Sequence, residues 1–434
     1  MTPIQAESLP HILSGRDVIG HAKTGSGKTA AFGLGLLSRL KVKQFRIQSL
    51  VLCPTRELAD QVATEIRRLG RAIHNIKVLT LCGGVPLGPQ IGSLQHGAHI
   101  VVGTPGRIND LLRKNLLSLD HLTSLVLDEA DRMLDMGFQD VLQAIVKKVP
   151  RNRQTLLFSA TFPDKIRSIS ADIMRDPVTV KVAENVDRLS ITQHFYKVDS
   201  KKRRIETLCT LLAQYSSRST LIFCNTKVQT QSVSDALGKK GFSVMPLHGD
   251  LEQRDRDQTL IKFANKSLSI LVATDVAARG LDISDLDLVI NYQLGQDPNV
   301  HTHRIGRTGR AGKSGLAISL YTENDGYKVA LLEDHFGDLI EKKTLPSPVH
   351  VASQPRAAAM TTLQIDGGKK QKVRPGDILG ALTGENGITG KQVGKIQVFD
   401  QWTYVAVDQS VAKSAMRKLV QDKIKGRIFR VRRV

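Results

Sequence analysis

The sequence predicts an α/β protein with two tandem parallel-sheet domains, followed by a small α+β domain. Three observations predict it. Short apolar runs rich in β-branched residues alternate with helical stretches, the pattern of strands buried on both faces by helices. That pattern stops at Ala183-Glu184-Asn185-Val186-Asp187 and then restarts. Beyond a second break the elements run β-α-β-β-α-β, a ferredoxin-like order. The length of 434 residues agrees, because single cores stop growing well below that size. The expected domains are 1–184, 190–345 and 358–434, and residues 346–359, with three prolines, read as a linker.

Composition narrows the function classes. Hydrophobic content of 41% with 24% charged residues is that of a soluble globular protein. The net charge of +21 favours a polyanion partner, nucleic acid before membrane. No apolar run reaches the ~18 residues of a membrane span, and Met1-Thr2-Pro3-Ile4-Gln5 is not a secretory signal. Cys53, Cys82, Cys209 and Cys224 lie far apart and read as buried free thiols of a reducing cytoplasm. His248, His301 and His303 lack suitably spaced acidic or thiol partners, so no metal site is expected from them.

In the first domain the run Asp17-Val18-Ile19-Gly20 leads into Ala22-Lys23-Thr24-Gly25-Ser26-Gly27-Lys28-Thr29, and Ala30-Ala31-Phe32 opens a helix. Glycines in such a turn let backbone N–H groups point inward at phosphate oxygens, and the helix N-terminus adds positive potential. Lys28 is placed to reach the β/γ-phosphates and Thr29 to hold Mg²⁺. Ala22 stands where the pattern usually has a glycine. The other runs end in polar tags: Pro54-Thr55-Arg56, Thr104-Pro105-Gly106-Arg107, Asp128-Glu129-Ala130-Asp131 and Ser159-Ala160-Thr161. Ligands of parallel sheets bind beyond the carboxyl ends of the strands, where every tag falls. Asp128 suits Mg²⁺, and Glu129 suits a water attacking the γ-phosphate.

The second domain repeats the strand pattern at Leu221–Cys224, Ile270–Val272 and Leu286–Ile290 without a glycine-rich turn, so it is expected to complete a site it cannot form alone. Arg307 and Arg310, three residues apart, share a face or turn and can stabilise charge on a transferring phosphoryl group.

Asp128-Glu129-Ala130-Asp131, together with the other tags, resembles the DEAD-box RNA helicases, and the resemblance covers nearly the whole chain. It implies two RecA-like domains, with ATP and Mg²⁺ as cofactors and RNA as partner. It further implies that Pro54, Thr55, Arg56, Gly83-Gly84, Thr104, Pro105, Gly106 and Arg107 grip the RNA backbone, and that Ser159-Ala160-Thr161 links nucleotide state to RNA binding. Ala273 to Asp282 resembles the family's fifth motif and His303 to Arg310 its sixth. From these, Gly280 and Asp282 are expected at the nucleotide, Asp282 on its ribose, and Thr226, Gly249 and Thr274 at RNA. Gln253 and Arg256 resemble a further element. Thr2-Pro3-Ile4-Gln5 resembles the end of the adenine-recognition motif, with Gln5 reading the base. The upstream aromatic residue of that motif is not in this sequence, and weaker ATP affinity is expected than with that segment. Closure of the two domains on ATP and RNA is expected to strain and open a short duplex.

The third domain carries 16 Lys/Arg against 6 Asp/Glu over residues 356–434, so +10 of the +21 sits there. Arg427, Arg430, Arg432 and Arg433 are expected on a final strand spanning 427–433, as a phosphate-binding surface. The element order is also that of the RNA-recognition module (RRM-like). Trp402 and Tyr404 would share one face of its third strand, but Asp400 and Gln401 replace the usual basic residue and glycine. A basic edge is therefore the alternative RNA surface to the sheet face. A helicase core followed by this domain is similar to the DbpA subfamily. That similarity implies docking on a hairpin of 23S ribosomal RNA during large-subunit assembly, by a monomer. A general helicase with a nonspecific basic tail, and an ATP-gated RNA clamp without unwinding, remain open at this stage.

Overall fold

Strands form where the chain places apolar residues on both sides of a sheet. In the computed structural model, which describes residues 1–22, 25–182, 191–199, 203–278, 286–309, 314–346 and 357–434, the chain falls into two compact units, one up to Val182 and one from Ile191 onward. The first unit contains β1 (Val18–His21), β2 (Ser49–Leu52), β3 (Val78–Leu81), β4 (Ile100–Gly103), β5 (Ser124–Asp128), β6 (Gln154–Ser159) and β7 (Val178–Lys181). They form one sheet in the order β3-β4-β2-β5-β6-β1-β7, paired in parallel throughout. Its helices are α1 (Pro3–Leu13), α2 (Lys28–Ser38), α3 (Arg56–Leu69), α4 (Leu87–Gln95), α5 (Pro105–Arg113), α6 (Ala130–Asp135), α7 (Gln139–Val146) and α8 (Asp164–Ile173). Alternate residues of one strand feed two cores: Val51 packs with Phe32, Ile66 and Phe158, while Leu50 and Leu52 pack with Ile108, Leu125 and Leu157.

The second unit starts with β8 (Ile191–Lys197), β9 (Thr220–Cys224), β10 (Val244–Leu247), β11 (Ile270–Thr274), β12 (Leu288–Asn291), β13 (Gly315–Tyr321) and β14 (Ile340–Lys343). Their order is β10-β11-β9-β12-β13-β8-β14. Subtracting seven from each label reproduces the order of the first sheet, so one topology occurs twice in the chain. The accompanying helices are α9 (Arg204–Tyr215), α10 (Lys227–Lys239), α11 (Gln253–Ala264), α12 (Asp275–Ala278), α13 (Pro298–Ile305) and α14 (Gly326–Phe336). The sequence patterns identify most of the central strands and pass over β3, β7, β10 and β14, and also β8 and β13 inside the second sheet. β3, β7, β10 and β14 are the sheet edges, where half-exposed positions interrupt the apolar run. Among the described residues no helix is long and apolar enough to cross a membrane.

The C-terminal part of the second unit is β15 (Met360–Ile365), α15 (Pro375–Thr383), β16 (Val393–Val398), β17 (Thr403–Asp408), α16 (Ala412–Gln421) and β18 (Val431–Arg433). The antiparallel sheet has the order β16-β17-β15-β18. Leu363, Ile365, Val405 and Val407 pack one face against Ile378, Leu382, Ala415 and Leu419 of the two helices.

Its other face is also covered. Thr362 and Gln364 alternate with the core residues of β15, yet they are 0% and 4% exposed. The turn after α11 closes over them: the Thr362 hydroxyl accepts from Asn265 Nδ2 at 3.2 Å and pairs with Ser267 Oγ at 2.6 Å, and Met360 N–H donates to the Lys266 carbonyl. Two expectations change here. Trp402 and Tyr404 do not form a base-stacking pair on one strand. Trp402 lies in the turn before β17, where Phe399 N–H donates to its carbonyl, and Tyr404 is buried. The last strand is also shorter than 427–433. Lys425 and Gly426, both at positive φ (53° and 79°), make a tight turn in which Ile424 and Arg427 pair with each other. Arg427 and Arg430 therefore precede β18.

Candidate functional site

The phosphate-loop residues lie between β1 and α2. Gly25 and Gly27 have φ of +85° and +90°, the left-handed region that only glycine enters without strain. Gly27 caps α2 and has no room for a side chain: a Cβ there would sit 2.5 Å from Gln5 Nε2 and 2.9 Å from Thr2 Oγ1. Gln5 is held from both ends of its amide, donating to the Gly27 carbonyl at 3.0 Å and accepting from Thr2 N–H at 3.0 Å. Ala22 N–H donates to the Ser159 carbonyl, tying the loop to the end of β6. Lys23 and Thr24 lie outside the described residues.

Lys28, in the first turn of α2, is buried and meets Asp128, the last residue of β5, with Nζ 2.6 Å from Oδ1; Glu129 Oε1 lies at 3.8 Å. Burial works against the Lys28 ammonium, but the Asp128 and Glu129 carboxylates outweigh it and hold its pKa above the ordinary lysine value. Burial pushes the Asp128 carboxyl up from its ordinary value, and Lys28 opposes that push. Apart from the ion pair, the Asp128 carboxylate has no hydrogen-bond partner among the described residues, and neither has the buried Ser26 hydroxyl. A buried carboxylate left short of partners is an oxygen donor suited to Mg²⁺, and the half-buried Thr29 follows Lys28 in the chain. Glu129 has φ +52°, a conformation that costs a non-glycine residue about 1–3 kcal/mol and that collects at functional sites.

Asp131 is a residue to which sequence reasoning gave no role. Its Oδ2 accepts from Thr161 N–H at 3.0 Å and from the Thr161 hydroxyl at 2.9 Å, while its own N–H donates to Ser159 Oγ at 3.3 Å. The final aspartate of Asp128-Glu129-Ala130-Asp131 thus anchors Ser159-Ala160-Thr161, and the signal was its place in that tag.

The other tags gather at the ends of β3, β4 and β2, which are neighbours in the sheet. Thr55, after Pro54, caps α3 by accepting from Leu58 N–H at 3.3 Å. Arg56 Nε lies 3.6 Å from Asp60. Thr104 precedes Pro105, the first residue of α5, and its hydroxyl accepts from Gly83 N–H at 3.5 Å. Gly84 is at φ +74°, and a Cβ at Gly106 would meet nothing within 4 Å. Arg107 donates from Nη2 to the Val85 carbonyl, and its Nη1 has no partner among the described residues.

The second sheet carries the same kind of residues at the equivalent strand ends. Thr226, after β9, caps α10 by accepting from Gln229 N–H at 3.2 Å. Thr274, ending β11, accepts from Ala277 N–H at 3.3 Å, and Gly249 is exposed after β10. Beside them Arg304, 1% exposed, spends all five of its N–H donors: two on Asp275 at 2.7 Å, one on Asn225 at 2.7 Å, and two on Gln293 O and Asn291 Oδ1 at 2.6 and 3.3 Å. Sequence reasoning missed it inside the run of arginines. Arg307 is buried, with its carbonyl accepting from Leu286 N–H. Gly280, Asp282 and Arg310 lie outside the described residues.

In the third domain Arg427 and Arg430 are exposed, whereas Arg432 is half-buried, with Nε 3.3 Å from Gln364 Oε1 and Nη2 3.7 Å from Asp366 Oδ1.

Comparisons with known proteins agree with this arrangement. Residues 2–169 match the DEAD/DEAH box helicase family, residues 203–312 the helicase conserved C-terminal domain, and residues 362–433 the DbpA RNA binding domain. The chain is 54% identical over 433 residues to ATP-dependent RNA helicase DbpA of Escherichia coli K12, spanning 100% of this chain and 94% of that one. It is 44% identical over 332 residues to DEAD-box ATP-dependent RNA helicase CshA of Bacillus cereus, spanning 76% of this chain and 63% of that one. Among solved structures, S. cerevisiae Dbp5 bound to RNA and ADP BeF3 is similar with a TM-score of 0.72 and 32% identity, over 79% of this chain and 90% of that one. The chain belongs to the DEAD-box ATP-dependent RNA helicases, enzymes that hydrolyse ATP and act on RNA, and it carries a DbpA-type RNA-binding domain.

Proposed function

We propose that this helicase unwinds short RNA duplexes in the cytoplasm, as a monomer, and that its third domain directs it to a 23S ribosomal RNA hairpin in the assembling large subunit. The observation that carries the targeting is the charge of the third domain. Ten of the 21 net positive charges fall within residues 356–434. The covered sheet face leaves Arg427 and Arg430 exposed on the segment leading into β18, where phosphates can be met.

In the first domain Lys28 would exchange its Asp128 partner for the β/γ-phosphates of ATP. The freed Asp128 carboxylate and the Thr29 hydroxyl would hold Mg²⁺, which supplies charge neutralisation to the transferring phosphoryl group. Glu129 would orient the attacking water, and Gln5, fixed by Gly27 and Thr2, would read the adenine edge. Gly25, Ser26 and Gly27, with Lys23 and Thr24, would line the phosphates, and Gly280 and Asp282 would meet the nucleotide. Arg307 and Arg310 would stabilise charge on the transferring phosphoryl group, worth ~10³-fold in such reactions. Thr55, Arg56, Gly84, Thr104, Gly106 and Arg107, and Thr226, Gly249 and Thr274 in the second domain, would hold the RNA backbone. Their support is the repeat itself: capping threonines and glycines recur at equivalent ends of two sheets with one strand order.

The test is ATP turnover with 23S RNA, 16S RNA, transfer RNA and no RNA. Stimulation by 23S RNA far above the others is expected. Equal stimulation by all three RNAs would reject the targeting and leave a general helicase.

A further inference from the structure

The carboxyl ends of β2 and β4 lead to Thr55 and Thr104, and the amino ends of the same four-residue strands form a second edge on the opposite side of the sheet. The segments that lead into β2, β5 and β6, neighbours in the sheet, are 39–48, 118–123 and 147–153. Together they hold eight Lys/Arg and one acid, Asp120. The topology itself does not require this charge. At the equivalent places in the second sheet, residues 216–219 lead into β9 with Arg218 as their one cation, and Asp287 precedes β12. We infer that the amino edge of the first sheet is a second RNA surface, which takes a single-stranded segment of the RNA outside the carboxyl-edge grip. The inference adds to that grip and does not depend on which residues form it.

The loop before β2 is held so that its side chains face outward. Gln48, 5% exposed, spends its whole amide on the loop. Its Nε2 donates to the Lys41 and Gln44 carbonyls at 2.9 Å, and its Oε1 accepts from Lys41 N–H at 2.9 Å. Buried His99 adds a further tie. Its Nδ1 accepts from Lys77 N–H at 3.1 Å, so Nε2 carries the hydrogen and donates to the Val42 carbonyl at 2.9 Å. With the backbone fixed, Lys41, Lys43 and Arg46 are exposed, as is Arg151 before β6. Among the described residues none of these four pairs with a carboxylate, and Arg46 Nη1 meets His121 Nε2 at 2.9 Å. Cations gathered without counter-charge repel one another, and a polyanion laid across them relieves that repulsion.

Phe45 separates RNA from other polyanions. It is 49% exposed in the middle of this loop, and its ring meets His99 edge-on at 4.4 Å between centroids. It also lies over Gly97, where a Cβ would come 3.0 Å from Phe45 Cδ1. The ring is braced beneath and open to solvent. A fixed aromatic ring among phosphate-binding cations is a platform on which an unpaired base stacks. A duplex keeps its bases stacked on one another, so the segment is single-stranded. An acidic polypeptide matches the charge but leaves the ring without a stacking partner.

The experiment uses the full chain with a non-hydrolysable ATP analogue and fluorescence anisotropy across a salt series. One probe is a short RNA strand. The other is the same strand carrying an unstructured tract of about thirty nucleotides at each end, enough to pass around a domain of roughly 40 Å. The combined variant Lys41→Gln, Lys43→Gln, Arg46→Gln is expected to lower the slope of log affinity against log salt by about 2 for the long probe, and to leave the short probe unchanged. Phe45→Ala is expected to weaken the long probe roughly tenfold and again spare the short one. ATP turnover with the short strand, equal to that of the unchanged chain, shows that both variants are folded. An unchanged slope for the long probe, or equal losses on both probes, would overturn the inference. It also fails if polyglutamate displaces the long probe as well as polyuridylate of equal charge does, since the edge then takes an acidic protein.

Discussion

The two large domains bury a cation at the same edge of the same sheet topology, and they treat it differently. In the first, Lys28 meets two carboxylates and nothing holds it by hydrogen-bond geometry on every side. In the second, Arg304 is saturated, each donor taken by Asp275, Asn225, Asn291 or Gln293. The strand-end position of Asp128 in β5 corresponds to Asn291 in β12, which is neutral and pairs with Ser319 at 3.1 Å. A cation held by carboxylates it can exchange is ready for an incoming phosphate. A cation with five satisfied donors is a rivet that joins three strand ends. The difference teaches that burial of charge alone does not mark a ligand site; exchangeability of its partners does.

The comparison breaks most decisively in kinetics. Lys28→Ala and Glu129→Gln should each lower RNA-stimulated ATP turnover by ~10³-fold or more, with circular dichroism unchanged. Turnover within an order of magnitude of the unchanged chain in both would remove the nucleotide assignment from this edge.

Stability comes next. Arg304→Met should destabilise the second domain by about 3–5 kcal/mol, since it strands the Asp275 carboxylate and three acceptors. Lys28→Met should cost under about 2 kcal/mol, because Asp128, already pushed up by burial, takes up a proton when its partner goes. Urea unfolding of both variants checks the contrast, and equal losses would erase it.

A smaller effect concerns His301, whose Nε2 lies 2.9 Å from Gln193 Oε1. Burial, aided by Arg304 and His335, pushes it down to about 3 from the ordinary 6.5. The unfolded chain therefore binds this proton first on acidification. The stability it confers is whole above pH 6.5 and is lost as pH falls from there toward 3, by up to about 1.4 kcal/mol per pH unit. Calorimetry should find that slope reduced in His301→Gln.

The smallest effect sharpens the repeat. Thr55→Val and Thr226→Val each remove one helix cap, at about 1 kcal/mol. Thermal unfolding should show similar losses, and unequal losses would mean that the two caps are not equivalent.

Much of the site was legible in the sequence because its determinants are local. Gly25, Gly27 and Lys28 sit in one turn, and Asp128, Thr55, Thr104 and Thr274 follow apolar runs whose strand character is set by their neighbours. The edge strands β3, β7, β10 and β14 were not legible, since an edge is half solvated and its alternation resembles that of a loop. The tie from Asp131 to Thr161 spans 30 residues, and that from Arg304 to Asn225 spans 79, so no local pattern contains either.

What the chain order determined by itself was the sequence of elements, the charged tags at their ends and the basic third domain, because each depends on residues within one turn or one strand. Packing decided the rest. Thr362 and Tyr404 have the alternation of an open sheet surface, yet both are buried, Thr362 beneath Asn265 and Ser267, while the cations Arg427 and Arg430 stay exposed. Burial is a property of what lies opposite, and what lies opposite here is about a hundred residues earlier in the chain.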